Sequence, residues 1–541
     1  MPVFPSFVPA PRSVQWTGDE FPLASLDLSI APAFLAVGGR LRADLAGYFG
    51  AAVLAPASGE EEFVYAEGRF AFALPELGGN FKRAAAPSGD LALIRDASLA
   101  PGAFTLTVAA PTVTVARARL TLAAADAEGA AAAVATLLQL LLQTWDGWRW
   151  RLPSVRVADA PAFAWRGLMV DSARHFLPVA DLERLIRLAA LYRINRLHWH
   201  LSDDQGWRIE LLSVPGATAS GSTRLGPDPA RDGFYSQDEA RRVIAFAAGY
   251  GITIVPELDL PGHVQAVLAG DPDLGCADGP FAVRSTWGIA EDVLCMGNPR
   301  SLEFALAAWD EVAALFPGPY VHIGGDECPT TRWEACPRCA AAKDRLGLAE
   351  WVDLHSDFVK TVAGHLAAKG KTVFGWDEVL DSKLDNGANV VHWRQWEPGL
   401  AARALERGRD LIRSPSFPYY FDFVQADDRL SSPGLSYKVK DAATARRVYE
   451  FDPGEGLPAG AASPAPGRGR LLGVQANVWS EFIRDPRRLD YMVFPRLLAL
   501  AETAWLGPDR PGWDDFAGRL AGQRRVLDRL GVNYCPIAFE G

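Results

Sequence analysis

From Trp165 onward the chain alternates strand-type and helix-type segments eight times, and few folds accommodate that alternation. The strand candidates are 167–171, 194–201, 252–256, 320–323, 372–376, 390–393, 411–414 and 472–476. Between most of them lie amphipathic stretches, among them 179–192, 237–249, 302–315 and 354–369. Strands joined through helices pair in parallel, because a parallel neighbour needs a long crossover rather than a tight turn. Eight such units over roughly 340 residues predict a (β/α)₈ TIM barrel. The competing architecture is an open doubly wound sheet, whose usual G-x-G-x-x-G phosphate turn is missing after the first strand.

At 541 residues the chain exceeds one ordinary core, so more than one domain is expected. Residues 1–155 read as a smaller α/β supporting domain. Its strand candidates include Phe63-Val64-Tyr65 and Phe104-Thr105-Leu106-Thr107-Val108, and an Ala- and Leu-rich helix follows over 129–143. The barrel occupies 156–510, with a Gly-, Pro- and Ala-rich surface loop at 452–470. Residues 511–541 form a C-terminal segment whose helix, 513–530, packs on the barrel.

Hydrophobic residues at 49% and charged residues at 22% describe a globular protein, and the net charge of −11 argues against nucleic acid or an anionic membrane as partner. No run of about 18 apolar residues suggests a membrane span. The start, MPVFPSFVPAPRSVQW, lacks a basic n-region followed by an apolar h-region. The chain as it stands is therefore expected in the cytoplasm, or outside the cell or in the periplasm if a leader was removed. A monomer or a homodimer is expected.

Active sites of such barrels lie at the C-terminal ends of the strands. Six of the eight histidines (His175, His198, His200, His263, His322 and His392) fall at or just past predicted strand ends, together with many acids and indoles. The densest group is Val321-His322-Ile323-Gly324-Gly325-Asp326-Glu327. Neighbouring side chains on a strand point to opposite faces, but two glycines let the backbone swing both carboxyls toward one cavity. Crowded acids drive their pKa values apart, as proton-transfer chemistry requires. An isolated Asp-Glu pair could equally be a solvated loop. A ring of acids, imidazoles and indoles suits a sugar, whose apolar ring face stacks on indole while charged groups take its hydroxyls. His198 and His200 face one side of their strand, as a metal pair would, although packing inside the barrel mouth explains them as well. Arg174 could be a rim salt bridge to Asp171 or a hydroxyl clamp. Of six cysteines, Cys328, Cys336 and Cys339 could offer three zinc ligands. A structural zinc wants four and no second CxxC is present, so free thiols or a local disulfide compete with a metal.

The segments RGLMVDSARHF (166–176), NRLHWHLSDDQGWRIE (195–210), VPELDLPGH (255–263), HIGGDE (322–327), FGWDE (374–378) and QANVWSE (475–481) carry a resemblance to the glycoside hydrolase family 20 β-N-acetylhexosaminidases. The resemblance implies exo-acting, retaining hydrolysis of terminal β-linked GlcNAc or GalNAc, with the substrate's own 2-acetamido oxygen as nucleophile. This family is an exception to the usual two-carboxylate scheme. It implies Glu327 as general acid and base, Asp326 as the group that orients the acetamido N–H, and Tyr420 (or Tyr419) as donor to the acetamido oxygen. Arg174 and Glu481 would bind hydroxyls, Trp376, Trp393 and Trp479 would wall the pocket, and Asp422 would support it. Asp203 and His263 would tune the acid/base from behind, unless they are merely a structural polar pair. The partner is a carbohydrate with a terminal N-acetylhexosamine, and no cofactor or metal is implied in the chemistry. Narrower substrates (lacto-N-biose or 6-sulfated GlcNAc) and a catalytically silent sugar-binding protein are the alternatives.

Overall fold

The computed structural model describes residues 5–23, 25–49, 52–54, 69–73, 88–147, 149–222, 232–426 and 442–539. Eight parallel strands close into a barrel: β1 (Trp165–Asp171), β2 (Arg196–His200), β3 (Thr253–Glu257), β4 (Tyr320–His322), β5 (Thr372–Trp376), β6 (Asn389–His392), β7 (Leu411–Arg413) and β8 (Leu471–Val478). Closure comes from β8 pairing back onto β1, with Gln475 opposite Gly167 and Val478 opposite Val170. A chain that buries both faces of its strands reads as nearly continuous apolar sequence. Accordingly every residue of β1 and β8 is buried. Trp165, Met169, Val255, Phe374, Val391 and Ile412 fill the lumen, so the barrel is a packed core whose polar groups gather at one mouth.

The crossover helices start where the sequence supplies caps. Ser236 and Glu239 form a reciprocal capping box before Gln237–Gly249, and Asn298 with Pro299 opens Pro299–Leu315. Their apolar faces (Ala240, Val243 and Phe246 on the first; Phe304, Ala308 and Val312 on the second) are buried.

Ahead of the barrel lies a mixed sheet in the order Ser13–Leu23, Trp150–Asp159, Phe104–Ala109, Ala118–Ala124, Ser88–Arg95, Ser25–Ile30, Arg69–Ala73, Ala52–Leu54. Its strand Trp150–Asp159 runs past the boundary expected at residue 155. The candidate strand Phe63-Val64-Tyr65 lies outside the described residues. The helix Ala127–Thr144 has the length and apolar content of a membrane span, contrary to the reading of the sequence. Here it is mostly buried, with Leu137, Leu140 and Leu141 in the core. Its Gln139 side chain donates to the Leu191 carbonyl at 2.8 Å, linking it to the barrel layer.

A buried ion pair fastens the two layers: Arg193 Nη1 lies 2.7 Å from Asp159 Oδ2, and both side chains are fully enclosed. The Arg193 backbone is left-handed, at φ 63°. The C-terminal helix Trp513–Arg529 packs at the junction rather than on the barrel alone. Arg519 bonds Glu502 of the barrel layer, and Gln523 donates to the Ser6 carbonyl and to Gln139.

Candidate active site

The end of β4 departs from strand geometry as its glycines allow. Gly324 (φ 69°), Gly325 (φ 91°) and Glu327 (φ 44°) are all left-handed. A Cβ at Gly324 would stand 1.8 Å from Asp259 Oδ1, so only glycine fits there. The turn brings carboxylate oxygens of both Asp326 and Glu327 and a nitrogen of His263 within 4.8 Å of one another. The two acids differ sharply in environment. Glu327 is 33% exposed and opens onto a cleft of about 390 Å³ edged by Ile289, Thr330, His355, Glu378 and Arg394. Asp326 is buried behind it, against Asp259. Burial and the Asp259 carboxyl push Asp326 well above the ordinary carboxylate range. Asp259 also accepts the Gly325 N–H at 2.9 Å, which fixes the turn.

Behind the pair lies a layer of alternating charge. His263 Nδ1 lies 3.2 Å from Asp203 Oδ1, while its Nε2 lies 3.7 Å from Glu327 Oε2 and 3.9 Å from Asp326 Oδ2. Burial opposes a charged imidazole, but Asp203 outweighs it and holds His263 well above the ordinary histidine range. Asp203 also meets Arg174 Nη2 at 2.7 Å and His200 Nε2 at 3.1 Å. His200 in turn lies 2.5 Å from Glu257, which carries it to about 10 in spite of burial. Glu257 accepts the indole N–H of Trp376 at 2.8 Å. His198 and His200 therefore share the interior face as expected, and their common partner is Glu257.

Indoles and a phenol enclose the space in front. Trp376 and Trp479 lie 5.7 Å apart between ring centroids, Tyr420 lies 6.0 Å from Trp479, and Trp393 stacks on Tyr420 at 6.1 Å. Of the two candidate tyrosines, Tyr420 belongs to this cage. It bridges to Asn477 of β8, whereas Tyr419 turns away and packs on Phe451 at 4.9 Å. Arg174 lies 4.8 Å above the Trp479 ring. It also contacts Asp171 at 3.3 Å, so the rim salt bridge exists beside the closer one to Asp203. Burial raises Asp422 and Glu481 above the carboxylate range. Asp326 Oδ1, Asp422 Oδ1 and Glu481 Oε2 are buried without a hydrogen-bond partner among the described residues. Buried polar atoms are rarely left so. Tyr420 lies within electrostatic reach of Asp326 and Asp422, as Asp422 does of Glu481, so the three unpaired oxygens belong to one neighbourhood.

Against known families, "Glycosyl hydrolase family 20, catalytic domain" matches residues 163–508, and "Glycosyl hydrolase family 20, domain 2" matches 5–160. The chain belongs to glycosyl hydrolase family 20. It is similar to a beta-hexosaminidase of Porphyromonas gingivalis, 40% identical over 385 residues, which are 71% of this chain and 48% of that protein. The chain thus spans about half the length of that relative. A beta-N-acetylhexosaminidase of Cellulomonas fimi is 34% identical over 407 residues, covering 74% of this chain and 75% of its own. Among solved structures, a family 20 exo beta-N-acetylglucosaminidase from Vibrio harveyi, in complex with N-acetylglucosamine, superposes with a TM-score of 0.80. It is 30% identical, over 99% of this chain and 79% of that one. The Streptomyces plicatus N-acetyl-beta-hexosaminidase gives 0.75 at 29% identity, over 98% and 97%.

Within this family 20 barrel, three acids at the strand ends make contacts for which the sequence assigned them no role. Asp259 backs Asp326, although it stood in plain view within VPELDLPGH. Asp377 accepts the Trp393 backbone N–H at 2.9 Å, and Glu378 accepts its indole N–H at 2.9 Å, so the two orient that wall. The cysteine reading is corrected. Cys328 stays apart from Cys336 and Cys339, which meet Cys276 and Cys295 instead.

Proposed function

We propose that the chain is an exo-acting, retaining β-N-acetylhexosaminidase that releases terminal β-linked GlcNAc or GalNAc by substrate-assisted catalysis. The observation that carries the proposal is the division of labour between two consecutive acids. A conventional retaining pair faces its partner across the scissile bond at about 5 Å, one carboxyl on each side of the sugar. Asp326 and Glu327 leave one turn together, one buried and one open, and cannot straddle a bond in that way. A nucleophile from the substrate itself resolves this.

Glu327, open to the cleft, protonates the glycosidic oxygen as the C–O bond breaks, and the acetamido oxygen closes on the anomeric carbon from the opposite face. Glu327 then takes a proton from the water that opens the resulting oxazolinium ring. Asp326 receives the acetamido N–H on its Oδ1 and opposes the positive charge, while the Tyr420 hydroxyl donates to the acetamido oxygen. Trp376, Trp393 and Trp479 enclose the N-acetyl methyl and the ring face. Arg174 and Glu481 take the outer hydroxyls, with Asp422 beside Glu481. His263, held by Asp203, supports the acid pair from behind.

Release of p-nitrophenol from its β-GlcNAc and β-GalNAc glycosides tests the activity. A silent sugar-binding scaffold would bind the free sugars and release nothing.

A further inference from the structure

Two loops on the catalytic side of the barrel, far apart in sequence, place four sulfurs together. Cys276 follows Gly275 and Cys295 follows Leu294, and these two preceding residues form an antiparallel bridge. Cys336 caps the helix Pro337–Leu346, and Cys339 lies in its first turn. The Sγ–Sγ separations are 3.6 Å for Cys276–Cys339, 3.8 Å for Cys295–Cys336 and 3.6 Å for Cys295–Cys339, and all four sulfurs lie within 4.8 Å of one another. A disulfide needs about 2.05 Å. Four thiolates around one zinc at about 2.3 Å form a tetrahedron with edges of about 3.8 Å. The observed spacing is that of the tetrahedron's edge.

The surroundings suit a metal thiolate. Cys295, Cys336 and Cys339 are buried, and Val293, Trp333, Ala342 and Leu354 form a small apolar shell around them. The Gly297 N–H points at the Cys295 and Cys339 sulfurs. A Cβ at Gly297 would stand 2.1 Å from the Arg338 carbonyl carbon, so glycine lets the two loops approach this closely. The helix N-terminus adds positive potential beside Cys336 and Cys339. Cys328 packs beside the shell but is not one of the four.

We propose that Cys276, Cys295, Cys336 and Cys339 hold one structural zinc ion. The ion ties the loop after β3 to the segment that runs on from Glu327. Four protein ligands leave no open position, so the zinc takes no part in the hydrolysis. Its effect is mechanical: Cys336 lies nine residues beyond Glu327, and the intervening Cys328, Pro329 and Thr330 line the cleft onto which the acid opens. Zinc displaces the thiol protons on binding, and those protons pass to solvent.

The test uses the full chain expressed with zinc and purified without chelator. Elemental analysis is expected to give about one zinc per chain. Cobalt substitution is expected to give a thiolate-to-cobalt charge-transfer band and the d–d bands of a tetrahedral site. Cys339→Ser and Cys276→Ser are expected to lose the zinc, and Cys328→Ser to keep it. Mass spectrometry of the unreduced, denatured chain is expected to show every cysteine reduced once zinc is stripped. Zinc-free wild-type protein whose mass reveals disulfides among these cysteines would overturn the proposal. So would zinc-free protein whose four thiols alkylate freely in the native state, or visible absorption from bound iron in place of zinc. The wild-type measurements decide the matter even if a serine variant fails to fold.

Discussion

Asp326→Asn is the sharpest probe of the proposed chemistry, because it removes the group's capacity to ionise and almost no volume. Burial and Asp259 disfavour the ionised form of Asp326 in the free site, and in the substrate-assisted route the positive charge that develops on the acetamido-derived ring favours it. Two unit charges about 4 Å apart interact by about 1 kcal/mol in water and about 4 kcal/mol at the effective dielectric of a protein site. Asp326 is only 8% exposed and is walled by Asp259, His263 and Tyr420, so the larger figure applies. That corresponds to about a thousandfold in rate. Asp259 lies directly behind and can ionise once its partner is neutral, so some of the loss is recovered. We expect kcat on p-nitrophenyl β-GlcNAc to fall by about 10²- to 10³-fold, within the range seen when a positioned electrostatic group is removed. The Asp259→Asn, Asp326→Asn double variant is expected to fall further. Stability controls are favourable, since replacing a buried carboxyl with an amide leaves the melting temperature unchanged or higher. The companion substrate is p-nitrophenyl β-glucoside, which lacks the acetamido group and is expected to react at a small fraction of the wild-type rate. Wild-type kcat in Asp326→Asn, together with equal turnover of the glucoside, would refute substrate assistance.

Four further predictions concern the cage and the scaffold. Tyr420→Phe is expected to lower kcat by about 10- to 100-fold through one hydrogen bond to a charged group. Tyr419→Phe, whose hydroxyl is buried without a hydrogen-bond partner among the described residues, is expected to leave turnover intact and not to destabilise the fold. Asp159→Ala leaves the Arg193 guanidinium buried without its carboxylate, and is expected to cost about 3–5 kcal/mol in denaturant unfolding. Asp44 is buried beside Tyr250, and burial lifts it to about 6 from 3.8. A folded-state carboxyl raised in this way costs stability above pH 6 and costs nothing below the unfolded value. Asp44→Asn is therefore expected to raise stability at pH 8 by up to about 3 kcal/mol, with the gain vanishing toward pH 4 in melts across that range.

What could be read from the sequence was whatever neighbouring residues decide. The eight strands emerge from runs of apolar residues that parallel pairing buries on both faces. The Gly324-Gly325 turn follows from glycine's freedom at positive φ, which both glycines use. Tyr419 and Tyr420 could not be separated, because adjacency on the chain is blind to the bridge with Asn477 that turns only Tyr420 into the cage. Asp259 lay within a quoted motif, yet its contact with Asp326 spans two strands and has no local signature. The cysteines make the same point most clearly. Cys336 and Cys339 announce themselves by spacing, and Cys328 looks like their neighbour because it is near in sequence. The actual partners, Cys276 and Cys295, arrive from the loop after β3, and only the parallel pairing of β3 with β4 makes them adjacent. The same strand adjacency presses Asp259 against Asp326 and places His263 beside Glu327. The β3–β4 seam therefore supplies both the proton-handling groups and the proposed metal clip. A substitution that shifted these loops relative to each other would disturb metal content and turnover together, whereas one confined to the Trp393–Tyr420 side would change turnover alone.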